Sequence, residues 1–244
     1  MLGRAVGAAV VRVLDAMGGF VAPPAGVSVV AHRGYAATSP ENTVAAVEAT
    51  AGVADAVEID VRRCASGEIV VCHDPTVDRV TDGRGSVSTL DAATLDGLSV
   101  HGSDDGVPTL DALLGAVPDD VAVNIELKER GLGDDVAAAA ARVENDVWVS
   151  SFDPVALRDV DLPTALLFYD RPRENLALAE ELDCDAVHPD VSLCIGTRVV
   201  SRAKDRGFSV NAWTVDSPGV AWALAARGVD GVIADRASVV QRQR

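Results

Sequence analysis

The sequence predicts an α/β protein, a (β/α)8 TIM barrel with a small insertion after the second strand-helix region. Three observations predict it. Short apolar runs alternate with amphipathic stretches from about residue 25 onward, as expected of parallel strands buried beneath covering helices. Helix-capping residues, helix-starting prolines and helix-ending glycines fall at the joins between them. The 244 residues match the usual length of one such barrel, and no linker divides them.

In order, the chain reads as an N-terminal segment, 1–24, followed by the barrel domain, 25–240. Met1-Leu2-Gly3-Arg4 and the apolar run after it imitate a secretion signal. Arg12 and Asp15 interrupt that run, however, and Ala22-Pro23-Pro24-Ala25 is a poor cleavage region, so an amphipathic helix is expected. Val6, Val10, Val13 and Leu14 give it an apolar side, the candidate for peripheral membrane contact. No apolar run is long enough to span a bilayer. The expected location is cytoplasmic, with membrane association or secretion left open.

Val27 to Ala31 is the first strand. Ser39-Pro40-Glu41 then supplies a cap, a proline for the first helical turn and an acid near its start, predicting a helix to about Ala51, before Gly52. Ala56 to Val61 is the second strand, and Ile69 to Cys72 extends it after the Ser66-Gly67 turn. The least regular part, about 75–108, is too long for an ordinary connection and reads as an insertion over the site, with a short helix near Leu90 to Leu98. Thr109 caps a helix through Leu110, Leu113 and Leu114 that Pro118 ends, and Val121 to Leu127 is the next strand. Strands at Val147–Val149, Thr164–Leu167, Ala186–Val187, Ser209–Trp213 and Gly231–Ile233 then alternate with helices starting near Asp134, Asp153, Arg173, Thr197 and Ser217. With Ile69–Cys72 counted as an extension, eight main strands remain, and a closed parallel barrel follows.

Composition narrows the function. The formal net charge is -16, from 37 acidic against 21 basic residues, and Lys128 and Lys204 are the only lysines. Such a chain repels a nucleic-acid backbone, so nucleic acid is not an expected partner. Acidic excess also suits solubility at high salt. Cys64, Cys72, Cys184 and Cys194 have no close metal-ligand spacing and are expected to be buried free thiols.

Ionisable groups recur at the ends of apolar runs: His32-Arg33-Gly34, Glu58-Ile59-Asp60, His73-Asp74 and Glu126-Leu127-Lys128. Because a strand alternates its faces, Glu58 and Asp60 point one way, and so do Glu126 and Lys128. Each alone is as readily a solvated or ion-paired residue. Together, carboxylates crowded at low dielectric repel one another unless protons or a cation compensate. Glu58, Asp60 and Glu126 offer oxygen ligands suited to a hard divalent ion, Mg2+ or Ca2+; zinc would draw more on His32 and His73. Those two imidazoles can exchange protons near neutral pH, while Arg33 and Lys128 can hold a phosphoryl group. Metal, acid-base pair and cationic clamp are the requirements for breaking a phosphodiester. His188, before Pro189, either binds substrate or finishes its strand, and His101 has no supporting pattern.

With Pro40-Glu41-Asn42-Thr43, Val70-Val71-Cys72-His73-Asp74-Pro75 and Asn124-Ile125-Glu126-Leu127-Lys128 added in order and spacing, the chain resembles the glycerophosphodiester phosphodiesterases over roughly Val27 to Asp235. Later support comes from Ser151-Phe152, Trp213-Thr214-Val215 and Gly228 to Ile233. The resemblance implies a TIM barrel with a small insertion and metal-dependent hydrolysis of glycerophosphodiesters to glycerol 3-phosphate and an alcohol. It further implies Glu58, Asp60 and Glu126 as metal ligands, His32 and His73 as the acid-base pair, with the order in which they act left open, and Arg33 and Lys128 on the phosphate. Trp213 either stacks on the substrate or serves the core. Asp216, Cys64 and Ala234 depart from frequent Asn, Thr and Thr, which bears on substrate preference and packing. Two rival readings are a phospholipase D-type enzyme acting on intact lipids and a non-catalytic phosphoester-binding protein.

Overall fold

The computed structural model describes residues 26–158 and 160–239. The N-terminal segment, with its expected amphipathic helix and membrane contact, lies outside the described residues. Among the described residues no helix is long and apolar enough to cross a membrane.

Eight parallel strands form the barrel: β1 (Ser28–His32), β2 (Ala56–Arg63), β4 (Ala122–Leu127), β5 (Val147–Ser151), β6 (Thr164–Phe168), β7 (Ala186–Pro189), β8 (Ser209–Ala212) and β9 (Gly231–Ala234). Each pairs with its neighbour, and pairing of β1 with both β9 and β2 closes the ring. β3 (Ile69–Val71) lies outside it, antiparallel to β2. The strands are rich in apolar residues because both faces are covered, β2 with its four charged residues being the exception, and every residue of β6, β7 and β9 is buried.

The helices are α1 (Val44–Glu48), α2 (Ala92–Asp96), α3 (Leu110–Leu114), α4 (Gly133–Ala140), α5 (Pro172–Glu181), α6 (Val191–Gly196), α7 (Val199–Lys204) and α8 (Pro218–Ala225). Thr109 and Ser217 cap α3 and α8, their side chains accepting from the Ala112 and Val220 amides. α3 buries Leu110, Leu113 and Leu114, each such side chain contributing about 2 kcal/mol.

The helices differ from the sequence expectation in three places. α1 begins at Val44 under a Thr43 cap rather than at Pro40. Asn42 instead takes a left-handed conformation (φ 60°), which puts its side chain on Asp60. No helix follows Asp153 among the described residues: 154–158 form turns, and Asp153 accepts from the Val155 amide and pairs with Arg130. The helix expected near Thr197 is present as α7, whose Val199 amide donates to the Thr197 hydroxyl, but a further short helix, α6, capped by Asp190 and closed at Thr197, precedes it.

The segment after His73 carries its own small core. Val77, Val80, Val87, Leu95, Val100 and Val107 pack on Cys64, Val70 and Cys72 of the β2–β3 hairpin, away from the barrel core. That attachment seats the segment beside the barrel mouth. All four cysteines are free and buried, as expected.

Candidate active site

Strand register places the ionisable groups. His32 lies beside Glu58 on adjacent strands, and Asp60 lies beside Glu126, which in turn lies beside Ser150. After His32 the chain turns sharply through Arg33 (φ 52°) and Gly34 (φ 73°), so that the Arg33 amide donates to Glu58 Oε2 at 3.1 Å. Only glycine fits at 34: a Cβ there would lie 2.6 Å from that of Ala46.

One ligand atom from each of Glu58, Asp60 and Glu126 lies within 4.8 Å of the others, and all three residues are buried. Burial, and next the charge of Asp60, push the Glu58 carboxyl up to about 8; the same causes raise Glu126. Despite its burial Asp60 is held below the usual carboxylate range by Lys128 and Arg33. Lys128 Nζ donates to Glu126 Oε1 at 2.5 Å and lies 3.0 Å from Asp60 Oδ1. Arg33 Nη1 donates to Glu41 Oε1 at 2.9 Å, and its Nε lies 3.1 Å from Asp60 Oδ2. Glu58 Oε1 is buried with no hydrogen-bond partner among the described residues, an oxygen that calls for a cation or a proton. This all-oxygen donor set fits a hard divalent ion.

Each of the two histidines is oriented by a carboxylate. His32 Nδ1 lies 2.5 Å from Asp235 Oδ1, leaving Nε2 on the side of Glu58, 3.8 Å from its Oε2. Burial opposes a charge on His32, but Asp235 and Glu58 outweigh it and raise its proton affinity above the ordinary value. His73 Nδ1 lies 2.6 Å from Asp74 Oδ1, and burial lowers its proton affinity. His32, Arg33, Glu58, His73, Glu126, Lys128 and Trp213 line one open cleft. Of the sequence candidates Asp60 and His188 are not in its lining; Asp60 sits fully buried beside the other two carboxylates.

The Glycerophosphoryl diester phosphodiesterase family matches residues 32–239, a span that contains every one of these groups. The chain belongs to that family. A glycerophosphodiester phosphodiesterase of Caldanaerobacter subterraneus subsp. tengcongensis is 33% identical over 229 residues, 85% of this chain and 93% of its own. A phosphodiesterase of Oleispira antarctica, solved in complex with the product sn-glycerol-3-phosphate, is 28% identical with a TM-score of 0.76, covering 85% of this chain and 92% of that one. A glycerophosphodiester phosphodiesterase of Thermotoga maritima is 27% identical with a TM-score of 0.77, covering 87% and 96%.

In this member of the phosphodiesterase family Trp213 follows the end of β8, ties its indole N–H to the His188 carbonyl at 2.7 Å and meets Phe152 edge-on at 5.2 Å. Its ring borders the cleft. His188, next to last in β7, is fully buried, its proton affinity pushed down to about 3 by that burial, and its Nε2 accepts from Asn211 Nδ2 at 3.0 Å. Sequence reading missed Asp235, Asp74, Glu41 and Arg79 as site groups. Asp74 adjoins His73 and Asp235 follows an apolar strand, so both repeated the polar strand-end signal. Glu41 was read as a helix-start acid, and nothing local marks Arg79.

Proposed function

We propose that this enzyme hydrolyses glycerophosphodiesters to glycerol 3-phosphate and an alcohol, with Mg2+ or Ca2+ held by Glu58, Asp60 and Glu126. The observation that carries the reading is the convergence of three buried carboxylates, two carboxylate-oriented imidazoles and two cationic side chains on one cleft. The product held by the Oleispira relative supports the substrate class. A bound ion would supply Lewis-acid polarisation of a phosphoryl oxygen.

The chain's own residues supply the rest. Arg33 and Lys128 hold the non-bridging phosphoryl oxygens, their positions set by Glu41, Asp60 and Glu126. With Nδ1–H donated to Asp235, His32 Nε2 is the acceptor facing the cleft and takes the proton of the substrate's own glycerol hydroxyl as that oxygen attacks phosphorus. His73, its Nδ1 on Asp74, delivers a proton to the leaving alcohol oxygen. In the second step neutral His73 takes a proton from water, water opens the cyclic phosphate, and His32 returns its proton to the glycerol oxygen. Raised proton affinity makes His32 a stronger acceptor, and lowered affinity makes His73 a stronger donor. Trp213 presents its ring to the glycerol carbons. Such diesters arise when acyl chains are removed from polar lipids, which places the enzyme in phospholipid and glycerol metabolism. Four buried, unpaired thiols suit a reducing, cytoplasmic location.

The test is a panel of glycerophosphocholine, glycerophosphoethanolamine, glycerophosphoglycerol and phosphatidylcholine vesicles, with products followed by phosphorus NMR under magnesium, calcium, manganese and zinc. Glycerol 3-phosphate from the soluble diesters and none from vesicles is expected. Phosphatidic acid from the vesicles would favour the intact-lipid reading, and binding without product the non-catalytic one. Asp235→Asn is expected to lower kcat by about 10²-fold or more, because an amide N–H facing Nδ1 moves the imidazole proton to Nε2. Steady-state kinetics and calorimetric cation binding together check this: binding should be unchanged.

A further inference from the structure

The segment after His73 reaches the candidate site through the Arg79 guanidinium. Arg79 Nε donates to Asp74 Oδ2 at 2.5 Å, while Nη1 and Nη2 donate to Glu41 Oε2 and Oε1 at 2.9 and 2.8 Å. Both carboxylates are shared with groups that face the substrate. Asp74 Oδ1 holds His73 Nδ1 at 2.6 Å, and Glu41 Oε1 accepts from Arg33 Nη1 at 2.9 Å. One planar cation therefore stands between the orienting partner of the proposed acid and the orienting partner of the proposed phosphate clamp.

An isolated ion pair on an exposed arginine contributes little, and the Arg79 side chain is 47% exposed. Its partners are not isolated, however: Glu41 is buried, and three aligned hydrogen bonds from one rigid fork fix two carboxylates relative to each other. His101 Nε2 also approaches Glu41 Oε2, at 3.6 Å, but lies beyond hydrogen-bond distance. Without Arg79, Asp74 loses the donor that sets its plane and with it the direction of His73 Nε2. Arg33 keeps its contact with Asp60, so phosphate binding is less affected than proton delivery.

We propose that Arg79 is a positioning residue of this phosphodiesterase, fixing His73 through Asp74 and Arg33 through Glu41. The segment after His73 is then a working part of the active centre. This rests on the reading of His73 as the acid that protonates the leaving alcohol. A misplacement of about 1 Å at such a group costs on the order of 10²-fold.

The experiment compares kcat and KM for two glycerophosphodiesters that differ in the leaving alcohol. The choline oxygen is too basic to leave as an alkoxide and must be protonated as it departs, whereas p-nitrophenolate leaves without a proton. Arg79→Ala is expected to lower kcat on the choline diester by about 10²-fold and on the nitrophenyl diester by less than about 10-fold. Arg79→Lys should fall the same way, since an ammonium cannot bridge both carboxylates as the fork does. Asp74→Asn should give the same pattern, and the Arg79→Ala/Asp74→Asn double variant should lose little more than the worse single one. Should Arg79→Ala fail to fold, Arg79→Lys and Asp74→Asn carry the comparison alone. An unchanged ratio of kcat between the two substrates, with His73→Ala showing the selective loss, would overturn the role of Arg79 alone. Equal losses on both substrates in His73→Ala would overturn the acid assignment and this inference with it.

Discussion

Replacing His32 by alanine is expected to lower kcat on glycerophosphocholine by about 10³- to 10⁴-fold while changing KM little. The effect is large because nothing else described in the cleft can take the proton of the attacking hydroxyl. His73 is committed to the leaving side through Asp74, and Lys128, whose proton affinity Asp60 and Glu126 raise against the effect of burial, remains charged. KM is spared because the groups on the phosphate do not depend on His32: Arg33 is held by Glu41 and Asp60, and Lys128 by Glu126. The variant leaves a gap beside Asp235, so added imidazole should restore part of the rate. Steady-state kinetics across an imidazole titration checks both points, and a loss below about 10-fold would remove His32 from the role of base.

Asp60→Asn is expected to have the largest effect, a loss of kcat of more than about 10⁴-fold that excess cation does not recover. Asp60 is fully buried and meets three groups: Asn42 Nδ2 donates to its Oδ2 at 2.9 Å, Arg33 Nε lies 3.1 Å from the same oxygen, and Lys128 Nζ lies 3.0 Å from Oδ1. Removing its charge takes away one of the three carboxylates and the counter-charge of two buried cations. Breaking such a buried network also costs roughly 3–5 kcal/mol of stability. Thermal denaturation of Asp60→Asn against the parent measures that part, and calorimetric cation titration measures the other.

The same carboxylates give the cation a pH dependence of definite sign. Glu58 has its carboxyl pushed up to about 8 by burial and by Asp60, so in the cation-free protein it holds a proton below that pH. Binding displaces the proton; cation affinity should therefore rise as pH rises toward about 8 and level off above it, with protons released on binding below that point. For stability the direction is the opposite. A carboxyl whose folded value is raised stabilises the fold at pH below its unfolded value, and that contribution is lost as pH rises through about 8. The cation-free Tm should accordingly fall between about pH 5 and pH 8, and Mg2+ or Ca2+ should raise Tm more at pH 8 than at pH 6.

The barrel was legible because buried parallel strands must be apolar on both faces, and each run from Val27 to Ile233 announced itself that way. The candidate site was legible for a related reason. A buried ionisable group in an apolar run is costly unless it is used, and such groups stand at the end of β1 (His32), within β2 (Glu58 and Asp60) and at the end of β4 (Glu126, with Lys128 just beyond). Chain signals failed where a side chain had a distant partner. Pro40-Glu41-Asn42 carries every local mark of a helix start, but Asn42 is drawn to Asp60 and Glu41 to Arg33 and Arg79, so the helix waits for Thr43. Asp153 likewise is spent on Arg130 and a turn. The pairing of His32 with Asp235 joins the first and last strands, and only closure of the barrel brings them together.

The most direct measurement is release of glycerol 3-phosphate from glycerophosphocholine by metal-stripped protein titrated with Mg2+ or Ca2+. No release in chelator, saturable recovery at one ion per chain, and none in Glu58→Gln at any cation concentration are the predicted results. An equal rate in chelator and in cation, or a Glu58→Gln variant as active as the parent, would contradict the account.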